Sequence, residues 1–251
     1  MPTENPPHLQ LMAWLTFITT VGFGLFVCLD LGLLQSLVAS DQSKLSVAVL
    51  LLFVLCCLHA AVRIFSISFT IEAFDAATRG VSAEDLHIDE DGGFHLPGGR
   101  DLPAGPMREF LNDVADQTRH ADASLDNEDM SDLADIFANA VKRSHDYGWY
   151  AVDIVIKIGL LGTIIGFILM LSSIADSTEL DVNTMQKVLT QMSRGMGTAL
   201  YTTLAGLSAS ILLGAQYLIA DKGADAMIER GLKFAHLAVV PAVDRWRRQQ
   251  G

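Results

Sequence analysis

Four long apolar blocks divide the chain. Leu9 to about Leu29, Leu45 to about Phe69, Ala151 to about Ala175 and Met196 to about Ala220 are each apolar over the roughly 20 residues that a spanning helix needs. Between the second and third blocks the pattern becomes amphipathic. Met107, Phe110, Leu111, Val114 and Ala115, and then Leu133, Ile136, Phe137 and Val141, recur at steps of three and four. The pattern predicts an all-α, polytopic membrane protein with four transmembrane helices and a helical region outside the bilayer. Its organisation reads as peripheral spans over 1–69, a mostly helical loop over 70–150, a second pair of spans over 151–220 and a C-terminal helix over 221–251.

The connections carry their own signals. The stretch 86–106 is rich in Gly and Pro, and LHI and FHL flank Asp91-Gly92-Gly93, which predicts a small hairpin with His87 and His95 facing each other. Two histidines without further ligands do not make a metal site. After the first block, LGLLQSLVAS either extends the span or lies along the outer surface, and Ser40 to Ser43 make a short turn. A short amphipathic helix is expected over 182–196, and the tail helix is expected to stop near Pro241. The start, MPTENPPHLQ, has no basic segment, so the first span is expected to be retained as an anchor.

The third and fourth blocks differ from plain anchors. Gly159, Gly162, Thr163 and Gly166 share one helix face, as do Ala199, Thr203, Gly206, Ser210 and Gly214. Small residues let helix backbones approach in lipid, where packing and interhelical hydrogen bonds take over from the hydrophobic drive. Packing alone does not call for a threonine at mid-depth on each helix. The hydroxyls of Thr163 and Thr203 either satisfy their own helix or turn toward a polar path.

Charge then orients the chain. The segment 70–150 holds eighteen acids and six bases, so the whole formal charge of −12 resides there. Six bases lie in 70–150, six in the tail and three in the short outer connections, which places the large loop and both termini in the cytoplasm by the positive-inside rule. Asp126 to Asp135 is the most acidic run, and Asp126, Glu128, Asp129 and Asp132 within it are either a solvated face or a contact for a cytoplasmic partner. Arg245, Arg247 and Arg248 would meet anionic headgroups or the acidic loop. Asp30 is read as an intramembrane proton site or as a boundary residue in water, and Asp153 with Lys157 as an ion pair at the inner interface. His59 and Arg63, one turn apart, are a relay, or else a local pair and a snorkelling cation. The cysteines Cys28, Cys56 and Cys57 read as small apolar residues. No nucleotide-binding loop, nucleophile elbow or metal-binding helix signature occurs, so neither an enzyme, a cofactor, a metal nor a nucleic-acid partner is expected.

Leu161-Gly162-Thr163 followed by Gly166 resembles the pore-lining helix of ExbB and TolQ. Gly195-Met196-Gly197-Thr198-Ala199-Leu200, then Thr203 and Gly206-Leu207, is similar to the next helix of that family. Over roughly residues 150 to 220 the chain thus resembles the MotA/TolQ/ExbB proton-channel superfamily, with a four-span layout as in MotA and core motifs nearer to ExbB and TolQ. Thr198 stands where the ExbB/TolQ pattern has glutamate, and no proline occurs between Met107 and Val240, where flagellar stator subunits carry them. The resemblance supports the superfamily rather than either branch.

The resemblance implies a bacterial inner-membrane subunit that forms a homo-pentamer around the two membrane helices of a dimeric, single-span MotB/ExbD-like partner bearing a membrane aspartate. It implies an ion pathway at Thr163, Thr203, Thr198 and Thr202, with the seam facing the central cavity and the first two spans facing lipid. Ion flow, of protons or sodium, would be converted into movement of the partner. The rival expectation is a non-conducting four-span scaffold that docks cytoplasmic partners through its acidic loop.

Overall fold

The structure, a computed structural model, describes residues 7–88, 94–120, 127–175 and 182–250. Asp126, the centre of the Gly/Pro-rich turn and the start of the connection after the third span lie outside the described residues. Helix α1 (Pro7–Asp30) ends at Gly32, whose φ of 68° is a left-handed conformation that suits glycine, and α2 (Leu33–Ser40) follows as a separate short helix. Helix α3 (Leu45–Thr78) continues well beyond the apolar block. Strands β1 (His87–Ile88) and β2 (Phe94–His95) pair antiparallel with His87 opposite His95, the register the sequence suggests. A 3₁₀ turn at Pro97–Gly99 leads to α4 (Pro106–His120).

Two very long helices complete the chain. Helix α5 (Asn127–Ala175) has 49 residues and α6 (Val182–Phe234) has 53, so the amphipathic piece expected over 182–196 is the first part of α6 rather than a separate helix. The tail departs from expectation too. The helix does not stop near Pro241: a π-helical turn, Ala235–Val239, leads directly into α7 (Val240–Gln250). Proline lacks an N–H and its ring crowds the carbonyl four residues back. A turn widened to i→i−5 bonding, with the Val240 N–H donating to the Ala235 carbonyl, accommodates both. Among the described residues four helices are long and apolar enough to cross a membrane, and the protein is an all-α polytopic membrane protein.

The chain forms two compact units. The first comprises 63–145 and 219–251 with the start of α1, and the second comprises 12–62 and 146–218. In the first unit the predicted stripe of α4 is buried, with Met107, Leu111 and Val114 fully enclosed. Phe110 stacks on Phe137 of α5 at a centroid distance of 4.5 Å, and Gly231 of α6 lies so close to Met107 that a Cβ there would be 2.7 Å from its sulfur. Ion pairs cross the same unit: Arg230 with Asp75, and Lys142 with Asp225 at 2.6 Å, where the carboxylate pushes the Lys142 ammonium up. Arg247 reaches the last turn of α4, where its guanidinium lies 3.5 Å from the Thr118 carbonyl, and pairs with Asp244.

In the second unit Val49, Phe53, Ala60, Val155, Ala205, Leu213 and Tyr217 form the core. Large apolar side chains on every span point outward, among them Phe23, Phe26, Leu51, Leu58, Ile164, Ile168, Leu204 and Ile211. An outer surface of this kind suits lipid or a neighbouring chain.

Candidate functional site

The candidate site is the contact of α5 with α6 inside the four-span unit. Each glycine in a helix interior costs about 0.5–1 kcal/mol relative to alanine, so a row of them calls for a compensating contact. That contact is backbone against backbone at Gly206 and Gly166 and backbone against a side chain at Gly162. A Cβ at Gly206 would lie 2.8 Å from the Gly159 Cα, one at Gly162 would lie 2.1 Å from the Thr202 Oγ1, and one at Gly166 would lie 2.6 Å from the Ala199 nitrogen and the Gly195 carbonyl. The order of these pairs, 159 with 206, 162 with 202 and 166 with 199, shows that the helices run antiparallel. Gly195 joins the row against Gly166 and Met170, a role that its place in the motif did not reveal.

Within the chain the seam faces the other helix, the packing role its small residues allow, and Thr163, Gly166 and Ala199 at one end of it also border an open groove. The physical reason is that the small residues of one helix are used up by the close approach of the other. Ser210 is buried with its hydroxyl on the Leu207 carbonyl, and Gly214 makes only an ordinary 3.8 Å approach to Trp149.

The four threonines separate into different environments. Thr202 is fully buried and donates to the Thr198 carbonyl at 2.8 Å. Thr198 is also fully buried: its hydroxyl donates to the Ser40 carbonyl at 3.0 Å and accepts from the Gln42 N–H at 3.2 Å, tying α6 to the turn between α2 and α3. Thr203 is half-buried and donates across the seam to the Gly159 carbonyl at 3.1 Å. Thr163 is half-buried, donates to the Leu160 carbonyl, and lines an open groove of roughly 440 Å³ with Ile164, Phe167, Met170, Met196 and Ala199. Thr163 alone of the four lies on that groove.

The turn held by Thr198 is organised by Asp41, which sequence reading passed over. Its carboxylate, 4% exposed, accepts from the Ser43 N–H and hydroxyl and from the Ser46 N–H at 2.6 Å, which caps the start of α3. Burial raises its pKa, and the hydrogen bonds from Ser43 and Ser46 outweigh burial and hold it below the ordinary 3.8.

Other residues singled out from sequence lie apart from the groove. Asp30 is the exposed last residue of α1, and Asp153 bonds Lys157 one turn along α5 on an exposed face. His59 pairs with Tyr217 at 3.0 Å, and Gly148 makes room for that ring, since a Cβ there would lie 2.0 Å from it. In the first unit Arg63 donates to the Val141 carbonyl at 3.2 Å rather than only reaching for headgroups. Glu128, Asp129 and Asp132 are exposed on the opening turns of α5, where acids also complement the helix dipole.

No curated protein and no solved structure matches the chain. The family model described as MotA/TolQ/ExbB proton channel family matches residues 104–230, which takes in α4, all of the described α5 and nearly all of α6. That match covers half of the chain and contains the whole glycine seam, so the chain belongs to the MotA/TolQ/ExbB proton channel family.

Proposed function

We propose that this protein is the ion-conducting subunit of a rotary or energising motor. Five copies surround the membrane helices of a MotB/ExbD-like partner, and ion flow through the complex is converted into mechanical work on that partner. Thr163 is the observation that carries the reading. Its hydroxyl stands on an open groove beside a rigid two-helix seam, so the helix pair presents one polar group on an otherwise apolar wall. The reading narrows the pathway to Thr163, with Thr203 beside it in the seam, and gives Thr198 and Thr202 structural work inside the protomer.

The ion carrier comes from the partner. Between Ile154 and Ser173, and again between Asn183 and Ala220, the sequence has no carboxylate, and threonine does not titrate near neutral pH. A partner aspartate set against Thr163 supplies the missing titratable group. The inner boundary of the membrane falls near 147–150, where the exposed Tyr147, Trp149 and Tyr150 suit the headgroup level. The first unit and both termini then lie in the cytoplasm of a bacterial inner membrane, in accord with the distribution of basic residues.

The test is ion uptake by the partnered complex carrying Thr163→Val or Thr163→Ser. Valine keeps the shape and removes the hydroxyl, and it should abolish uptake while assembly persists; serine should retain uptake. Full uptake with valine would remove Thr163 from the pathway, and no uptake by the unmutated complex would favour the non-conducting scaffold.

A further inference from the structure

Among the described polar groups that the ion pathway does not use, the most enclosed titratable side chain of the first unit is His145 of α5. It is 1% exposed, and its Nδ1 lies 2.8 Å from Oδ1 of Asp221 on α6. Its other ring nitrogen, Nε2, is buried without a hydrogen-bond partner among the described residues. An ionised carboxylate can only accept, so Nδ1 must carry the proton of the neutral ring, and the Nε2 lone pair is left open. The tautomer is thus fixed by chemistry.

We propose that His145 and Asp221 form a proton-binding site in each protomer, separate from the ion pathway of the spans. The incoming proton, taken from water, lands on the Nε2 lone pair. The Nδ1–H bond to Asp221 stays in place, and the positive ring is balanced by the Asp221 carboxylate. Histidine is the side chain whose charge ordinarily changes between about pH 5 and 8. Of the charged groups on the neighbouring turns, Lys142 bonds Asp225 at 2.6 Å and also attracts the Asp221 carboxylate, and Arg63 of α3 bonds the Val141 carbonyl one turn away on α5. The Asp221 carboxylate is the anion in direct contact with the ring, and it compensates the imidazolium. Proton uptake turns a neutral-to-charged hydrogen bond between α5 and α6 into an ion pair, so acidification tightens that contact.

The site's existence requires neither the partner nor ion flux, so its test is independent of the function proposed above. The full chain, labelled with ¹⁵N-histidine and held in lipid nanodiscs, is titrated from pH 8.5 to 5.5, with the His145 signals assigned through His145→Gln. Should that variant not fold, Asp221→Asn perturbs the same signals and assigns them. The expected result is an Nδ1 that stays protonated throughout and an Nε2 that passes from lone pair to N–H within the range. Asp221→Asn should weaken proton binding about tenfold or more, because the compensating charge is gone. A neutral ring carrying its proton on Nε2, an Nε2 that never changes state, or an unchanged titration in Asp221→Asn would each overturn the proposal.

Discussion

The glycine seam makes a prediction that depends on which atoms oppose each glycine. At Gly162 the three atoms nearest a new Cβ are all in the Thr202 side chain, at 2.1, 2.4 and 3.0 Å. Ordinary van der Waals contact begins near 3.4 Å, so Gly162→Ala forces α5 and α6 apart by about 1 Å or distorts Thr202. Overpacking of this kind costs about 1–3 kcal/mol. At about 2–4 °C per kcal/mol for a chain of this size, the unfolding midpoint should fall by roughly 2–12 °C. Removing the opposing side chain with Thr202→Gly should restore much of the loss in the double variant, less about 1 kcal/mol for the added helical glycine. Gly166 should behave differently. Two of its three nearest contacts, both at 2.6 Å, are backbone atoms of Ala199 and Gly195, so Gly166→Ala should be as damaging and Ala199→Gly should not rescue it. Thermal unfolding in detergent, followed by tryptophan fluorescence, gives all five midpoints. A wild-type midpoint for Gly162→Ala, or equal rescue at both positions, would refute this close packing of α5 on α6.

Three further outcomes follow from the hydrogen bonds and charges. Thr198→Val leaves the Gln42 N–H without its acceptor and should cost about 1–3 kcal/mol, read as faster hydrogen exchange at Gln42 and Ser46, while ion uptake per assembled complex is retained. Asp41 has a folded pKa below its unfolded value, so its contribution to stability is complete above pH 3.8 and is lost as pH falls through the lower folded value. The unfolding midpoint of the wild type should therefore drop over that acid window, and the drop should shrink in Asp41→Asn. Reversing Glu128, Asp129 and Asp132, with Asp126, to lysine should loosen the start of α5 by about 0.3–1 kcal/mol for each first-turn charge and weaken capture of any basic partner in a salt-dependent way, with flux unchanged; unchanged helicity and capture would leave the run a solvated face.

Sequence pattern located elements better than it located their partners. The apolar blocks, the buried stripe of α4 and the hairpin with His87 opposite His95 all follow from local rules of length, period and turn chemistry. The small-residue face of each span was equally legible, but periodicity identifies a face without saying what covers it. Here the other span of the same chain covers it. The bond from Thr198 to Ser40 joins residues 158 positions apart, and that from His145 to Asp221 joins residues 76 apart. Such pairs are set by the register of packed helices, and a single threonine or histidine carries no local trace of it. The same holds at Tyr217, whose ring needs Gly148 on another helix. At Pro241 a local rule was overridden, because the π-helical turn supplied room that a regular helix lacks.

The central claim is that the pathway needs a titratable group from a second protein. Proton and sodium uptake should be measured in vesicles holding this chain alone, the chain with its partner, and the chain with a partner whose membrane aspartate is changed to asparagine. The account predicts flux only in the second preparation. Flux from the chain alone, especially flux that vanishes in Asp30→Asn, would contradict it and identify a self-contained channel.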